Sequence, residues 1–264
     1  MRRALLAEWT KLRTLPSTAW LVLAAVAGTV VGGAAWTGSV DAARCPAQAG
    51  CGLDLPKLTL TGVWLGQAAV VVLAVQAMTG EFDTRTVQAT LAAIPRRTRL
   101  MAAKAAVVTA AALAAGTLGV AGSLLAGRAI LPGNGFTAAS GHPPPSPADG
   151  PTLRAAAGTV LYLGLVALLG LGVGTVVRDT AGALTVVLTL LYSFPAVAGL
   201  VADPVWRERL DRVAPMPAGL AIQATRDLDE LPIAPWTGLG VLAAWAAGAM
   251  LLGTVRFRRH DVGS

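Results

Sequence analysis

Charge is scarce in this chain: only 13% of its 264 residues are Asp, Glu, Lys or Arg, against about 25% in ordinary soluble domains. Histidine is nearly absent. His142 and His260 have no partner at metal-ligand spacing, which removes the common zinc motifs. Two cysteines are too few for a disulfide scaffold. The lysines are Lys11, Lys57 and Lys104, and none follows Gly and precedes Ser or Thr, so there is no P-loop. A Gly-x-Ser-x-Gly nucleophile motif is also missing. What is present is apolar: 55% hydrophobic residues and a mean hydropathy of +0.63. That content excludes a disordered chain and points to an all-α integral membrane protein.

Uncharged runs cover residues 14–40, 58–80, 105–127, 155–177, 180–202 and 231–255. About 20 apolar helical residues cross a bilayer core of roughly 30 Å, so each run is long enough. Their Ala, Val, Leu and Gly interiors lack the alternation of barrel strands. The reading is one transmembrane domain over 1–264, with spans near 16–38, 58–80, 105–127, 155–177, 180–202 and 235–255. A further uncharged run, 129–148, is too rich in Gly and Pro to form a helix in lipid. The first run is too long for the apolar region of a removable signal peptide.

With both termini placed in the cytoplasm, the inner segments hold 13 Lys and Arg against 5 acids, a net +8, and the outer segments 8 against 9, a net −1. The positive-inside bias therefore predicts an N-in, C-in, multi-pass protein. The net charge of +7 is an orientation signal rather than a nucleic-acid footprint.

Several local features can be read. Arg178-Asp179 separates two spans so closely that they must form a hairpin, and Asp179 is placed to cap the second. Asp203-Pro204 opens a short amphipathic helix with Trp206, Leu210 and Val213 on its apolar face, ended by Pro215 and Pro217. Most of the seven tryptophans fall near span ends, as headgroup anchors do. The small-xxx-small pairs Gly28/Gly32 and Gly170/Gly174 allow close helix approach, within the chain or between chains. Cys45 and Cys51 are close enough in sequence for a small disulfide loop in an oxidising compartment. No Asp, Glu, Lys, Arg or His lies inside any of the six uncharged runs. Gln67 and Gln76 are the notable polar side chains there, either bonding across helices or lining a pathway.

The stretch 80–104, GEFDTRTVQATLAAIPRRTRLMAAK, is the longest inner segment. Val87, Leu91 and Ile94 recur at helical spacing, Pro95 stops the helix, and Arg96, Arg97, Arg99 and Lys104 follow. An amphipathic helix on the inner membrane surface, anchored by basic residues to anionic lipid, accounts for this pattern; so does a docking surface for a partner. Near the N-terminus Leu5, Trp9 and Leu12 form a similar stripe.

These two segments resemble the small six-span permeases of bacterial type-2 ABC transporters found in high-GC bacteria. The resemblance rests on Gly80-Glu81-Phe82, Thr86-Val87, Thr90-Leu91-Ala92-Ala93 and Pro95-Arg96-Arg97, and on Glu8-Trp9-Thr10-Lys11-Leu12-Arg13-Thr14 before the first span. It spans the whole chain in architecture and about 35 residues in motif. One position departs: Arg85 stands where the family often has Gly.

The resemblance implies a subunit that is not itself an enzyme. ATP and Mg would be bound by a separate cytosolic ATPase subunit, with no cofactor on this chain. The first inner loop would be a coupling helix seated in that subunit through Glu81, Phe82, Arg85, Thr86, Gln88, Leu91, Pro95, Arg96 and Arg97. Trp9, Lys11 and Arg13 would belong to the N-terminal interfacial helix. Two permease chains, identical or not, would form the export pathway in the bacterial cell membrane. The apolar stretch 214–224 is similar in kind to the family's segment that folds back near the exit. A different class also fits: a non-transporting anchor, immunity or sensor module that recruits a cytosolic protein through the same loop.

Overall fold

The computed structural model describes residues 2–44, 52–83, 97–137, 145–146 and 148–259. Among them the regular structure is entirely helical. The elements are α1 (Arg2–Thr14), α2 (Pro16–Ser39), α3 (Leu55–Leu60), α4 (Val63–Asp83), α5 (Arg97–Ile130), α6 (Gly150–Val177), α7 (Thr180–Leu200), α8 (Pro204–Val213), α9 (Pro215–Leu220) and α10 (Pro235–Arg259). Six helical stretches are long and apolar enough to span a membrane: α2, α3 with α4, and α5, α6, α7 and α10. The chain is a multi-pass membrane protein.

Several helices extend beyond the uncharged runs, while α2 and α7 lie within theirs. α5 has 34 residues, about 51 Å at 1.5 Å per residue, well over the roughly 30 Å hydrocarbon core. It therefore carries Lys104 and Arg128 within a continuous helix. α6 begins at Gly150, ahead of the uncharged run at 155. The second span is two helices broken at Thr61-Gly62. A side chain on Gly62 would sit 1.9 Å from the Thr29 carbonyl oxygen of α2, so the break is where two backbones touch.

α4 and α6 form the centre, and α2, α7 and α10 lie outside them. The core runs through Val70, Ala74, Tyr162, Val166, Val187 and Leu242. The predicted small-residue pairs pack within the chain. Gly28 and Gly32 of α2 meet Leu65, Gly66 and Gly62, and Gly170 and Gly174 of α6 meet Ala74 and Val75 of α4. The hairpin forms as expected: Asp179 accepts from the Gly182 N–H at 2.6 Å, and Arg178 turns the corner with φ 66°.

Asp203 caps α8 by accepting from the Val205 N–H at 2.9 Å. α8 ends at Val213, ahead of Pro215, as expected, but the two prolines also belong to the next helix. Pro215 begins α9 and Pro217 lies inside it. Pro is favoured in a first helical turn, where its missing N–H leaves no bond unmade. The 214–224 segment is buried, with Met216, Ala218 and Ile222 at 0% exposure. All seven tryptophans are exposed, consistent with anchoring in lipid, and Trp245 donates its indole N–H to the Val213 carbonyl at 3.0 Å.

Candidate functional site

α1 is amphipathic, but its inward stripe is not centred on Trp9. Trp9 is exposed, whereas Ala4 and Glu8 are buried, with Leu5 and Leu12 half-buried beside them. α1 packs on α5 and delivers the Glu8 carboxylate into the bundle.

Three elements converge there. Lys104, from α5, is 2% exposed. Its ammonium donates to Glu8 Oε2 at 2.9 Å, Glu81 Oε1 at 2.6 Å and the Ala77 carbonyl at 3.0 Å. An ammonium has three N–H donors, and these three bonds use them all. Lys11, from α1, donates to Glu81 Oε1 at 2.7 Å and stands 3.5 Å from Glu8 Oε1. Among the described residues, two carboxylates and two ammonium groups thus meet. An unpaired buried charge would be very costly, which is why each is shared. Burial disfavours the charged form of Lys11, but hydrogen bonding to Glu81 and the nearby Glu8 and Glu81 charges outweigh it, holding its pKa above the ordinary lysine value.

The neighbouring residues of α4 point elsewhere. The Phe82 ring meets Phe257 of α10 edge-on, with centroids 6.5 Å apart. The Arg178 guanidinium lies 5.4 Å over the Phe82 ring. Thr180, at the start of α7, donates to Thr79 Oγ1 at 2.6 Å. Met78, Leu100, Met101, Leu171 and Phe257 pack together between these contacts. The end of α4 is therefore held on one side by α1 and α5, and on the other by the α6–α7 turn and α10.

A cleft of about 530 Å³ opens beside the ion pairs, between the α1–α2 corner and helices α4, α5 and α7. Glu8, Lys11, Glu81, Lys104 and Gln76 are among its lining residues, and the rest is mainly apolar. Gln67 is placed differently. It is buried, accepts from the Tyr162 hydroxyl and faces Met216 Sδ at 3.3 Å, so it bonds across helices.

At the opposite end of the bundle the 214–226 segment is tied down. Gln223 donates to the Leu60 carbonyl at 3.3 Å and Thr159 Oγ1 at 3.1 Å. Arg154 donates to the Ala224 carbonyl. Asp54 accepts from the Lys57 N–H, the Thr225 N–H and hydroxyl, and the Arg226 N–H. A second cavity, about 520 Å³, lies at this end among Lys57, Trp64, Arg207, Asp211 and Met216. Burial pushes the Asp211 carboxyl above its usual range, with Arg207 opposing part of the shift.

Of the residues singled out in the sequence, Glu81 and Lys11 meet directly, Phe82 joins the aromatic contact, and Gln76 reaches the cleft. Arg13 is exposed. Arg97 begins α5. Arg85, Thr86, Gln88, Leu91, Pro95 and Arg96 lie outside the described residues, as do Cys45 and Cys51. Glu8 and Lys104 are the members that the sequence reading did not single out for the site. A usable signal existed: Lys104 is one of only three lysines, and an acid at position 8 runs against a basic segment. No protein-family model matches the chain, and no curated protein matches it.

Proposed function

We propose that this protein is the membrane subunit of an ATP-driven exporter, with N- and C-termini in the cytoplasm of a bacterial cell. A separate ATPase subunit binds ATP and Mg and docks on the loop 84–96. Two permease chains pack together to form the pathway. The observation that carries this reading is the grip on Glu81 and Phe82, the residues at the end of α4 that leads into that loop. Glu81 is bonded to α1 and α5, while Phe82 contacts the α6–α7 turn and α10. A push on the loop therefore reaches both sides of the bundle through side chains already in contact.

The test is co-expression of the tagged chain with the P-loop ATPases of its own genome. One ATPase is expected to co-purify, with its turnover changed by the permease. Leu91→Glu, at one of the apolar positions that recur at helical spacing in the sequence, should remove co-purification while membrane insertion persists. Undiminished co-purification of that variant would sink the docking assignment.

A further inference from the structure

The ion-pair cluster has acceptors left over. Glu8 Oε1 and Glu81 Oε2 are buried and have no hydrogen-bond partner. Glu8 itself is 5% exposed. Buried carboxylate oxygens without donors are costly. Lys104 has spent its three donors on Glu8, Glu81 and Ala77. Lys11 lies 3.5 Å from Glu8 Oε1, beyond good hydrogen-bond length. What the cleft asks for is a donor, preferably a cationic one.

We propose that the cleft binds an amphiphile carrying a protonated primary amine. Its ammonium takes the place of Lys11 against Glu8 and Glu81. Its tail lies along Leu12, Leu15, Leu21, Leu73, Val107 and Val108, which line the same cleft. A volume of about 530 Å³ falls within the usual range of roughly 300–1,000 Å³ for small-molecule sites. Lys11 is suited to yield. Its side chain is 44% exposed, against 2% for Lys104, and its flexible four-carbon stem can swing to solvent. Its ammonium acts as a tethered stand-in for that of the amphiphile. An anion is disfavoured because the surplus is of acceptors. The amine can come from a lipid with an amine headgroup or from a free long-chain amine. The site is independent of ATPase docking, so it is tested on the permease chain alone.

The full chain in maltoside micelles is titrated with dodecylamine at neutral pH, following its thermal midpoint, with dodecanol as the uncharged control. Phosphatidylethanolamine, added in a parallel titration, distinguishes the two sources by competing or failing to compete with dodecylamine. Saturable stabilisation by dodecylamine alone is expected. Lys11→Met, which vacates the position and leaves a surplus negative charge, should bind dodecylamine about 10-fold more tightly. Thr18→Trp, which fills the cleft away from the ion pairs, should bind it about 10-fold more weakly. Equal responses to dodecylamine and dodecanol would overturn the proposal. So would weaker amine binding by Lys11→Met, a result expected if Lys11 were purely structural. If Thr18→Trp fails to fold, the Lys11→Met comparison decides alone.

Discussion

At the end of the bundle where α1, the Arg178 turn and the last turn of α10 gather, opposite charges and aromatic rings meet across helices. At the far end, where α3 and the 214–226 segment lie, side chains reach for backbone. Among the described residues, Glu8, Lys11, Glu81 and Lys104 are joined by ion pairs across α1, α4 and α5. Asp54, Arg154 and Gln223 bond largely to peptide N–H and carbonyl groups. Backbone partners hold one register, so the far end is a clamp on a loop that must sit among apolar helices. Ionic partners can be exchanged, and the first end has a cleft in which to do so.

Three variants probe that contrast. The largest effect is expected from Lys104→Met, which removes the buried ammonium from two carboxylates and leaves them only the more exposed Lys11. Removing one partner of a buried ion pair destabilises by about 3–5 kcal/mol. A detergent-solubilised sample should show a sharply lowered thermal midpoint. A midpoint near that of the wild type would mean that the carboxylates are protonated or hydrated, and the cluster weaker than its geometry suggests.

Asp54→Ala should cost less, about 2 kcal/mol, since hydrogen bonds to a charged group contribute ~1.5–3 kcal/mol each and freed N–H groups at this end can take up water. Its distinctive readout is local. Proteolysis near 225 should accelerate while α1 stays protected, and equal release of both would erase the difference between the two ends.

The smallest effect belongs to Lys11. Its folded-state pKa is raised above the ordinary value of 10.5. Its stabilisation is therefore complete below pH 10.5 and is lost as pH rises through the higher folded value. The stability gap between wild type and Lys11→Met should be present at pH 9 and should close above pH 10.5. The gap itself should be small, because Lys11 is half exposed and solvent screens it. A gap that persists at high pH would assign the effect to packing of the stem rather than to charge.

Much of the architecture could be read from local pattern. The six uncharged runs became the six membrane-length helices, Asp179 and Asp203 cap the helices they were expected to cap, and the glycine pairs sit where backbones touch. Each of these depends on residues within a few positions of one another, or on a composition that lipid enforces. What local pattern did not show has another cause. Pro215 ends α8 but also opens α9, and that second role depends on Met216 and Ile222 finding space among α6, α7 and α10. Trp9 was a natural centre for the α1 stripe by hydropathy. Glu8 faces inward instead, because Lys104 is there to meet it.

The sequence by itself determined a membrane-spanning helical chain, since hydrocarbon solvent demands long apolar helices that satisfy their own backbone bonds. That demand is written in every span separately. Only the tertiary structure decided that Glu8 and Lys104, 96 residues apart, and Lys11 and Glu81, 70 apart, form one buried cluster. A buried charge is tolerated only where a specific partner stands within hydrogen-bond reach. Which partner that is depends on how the helices pack, and no single segment records it.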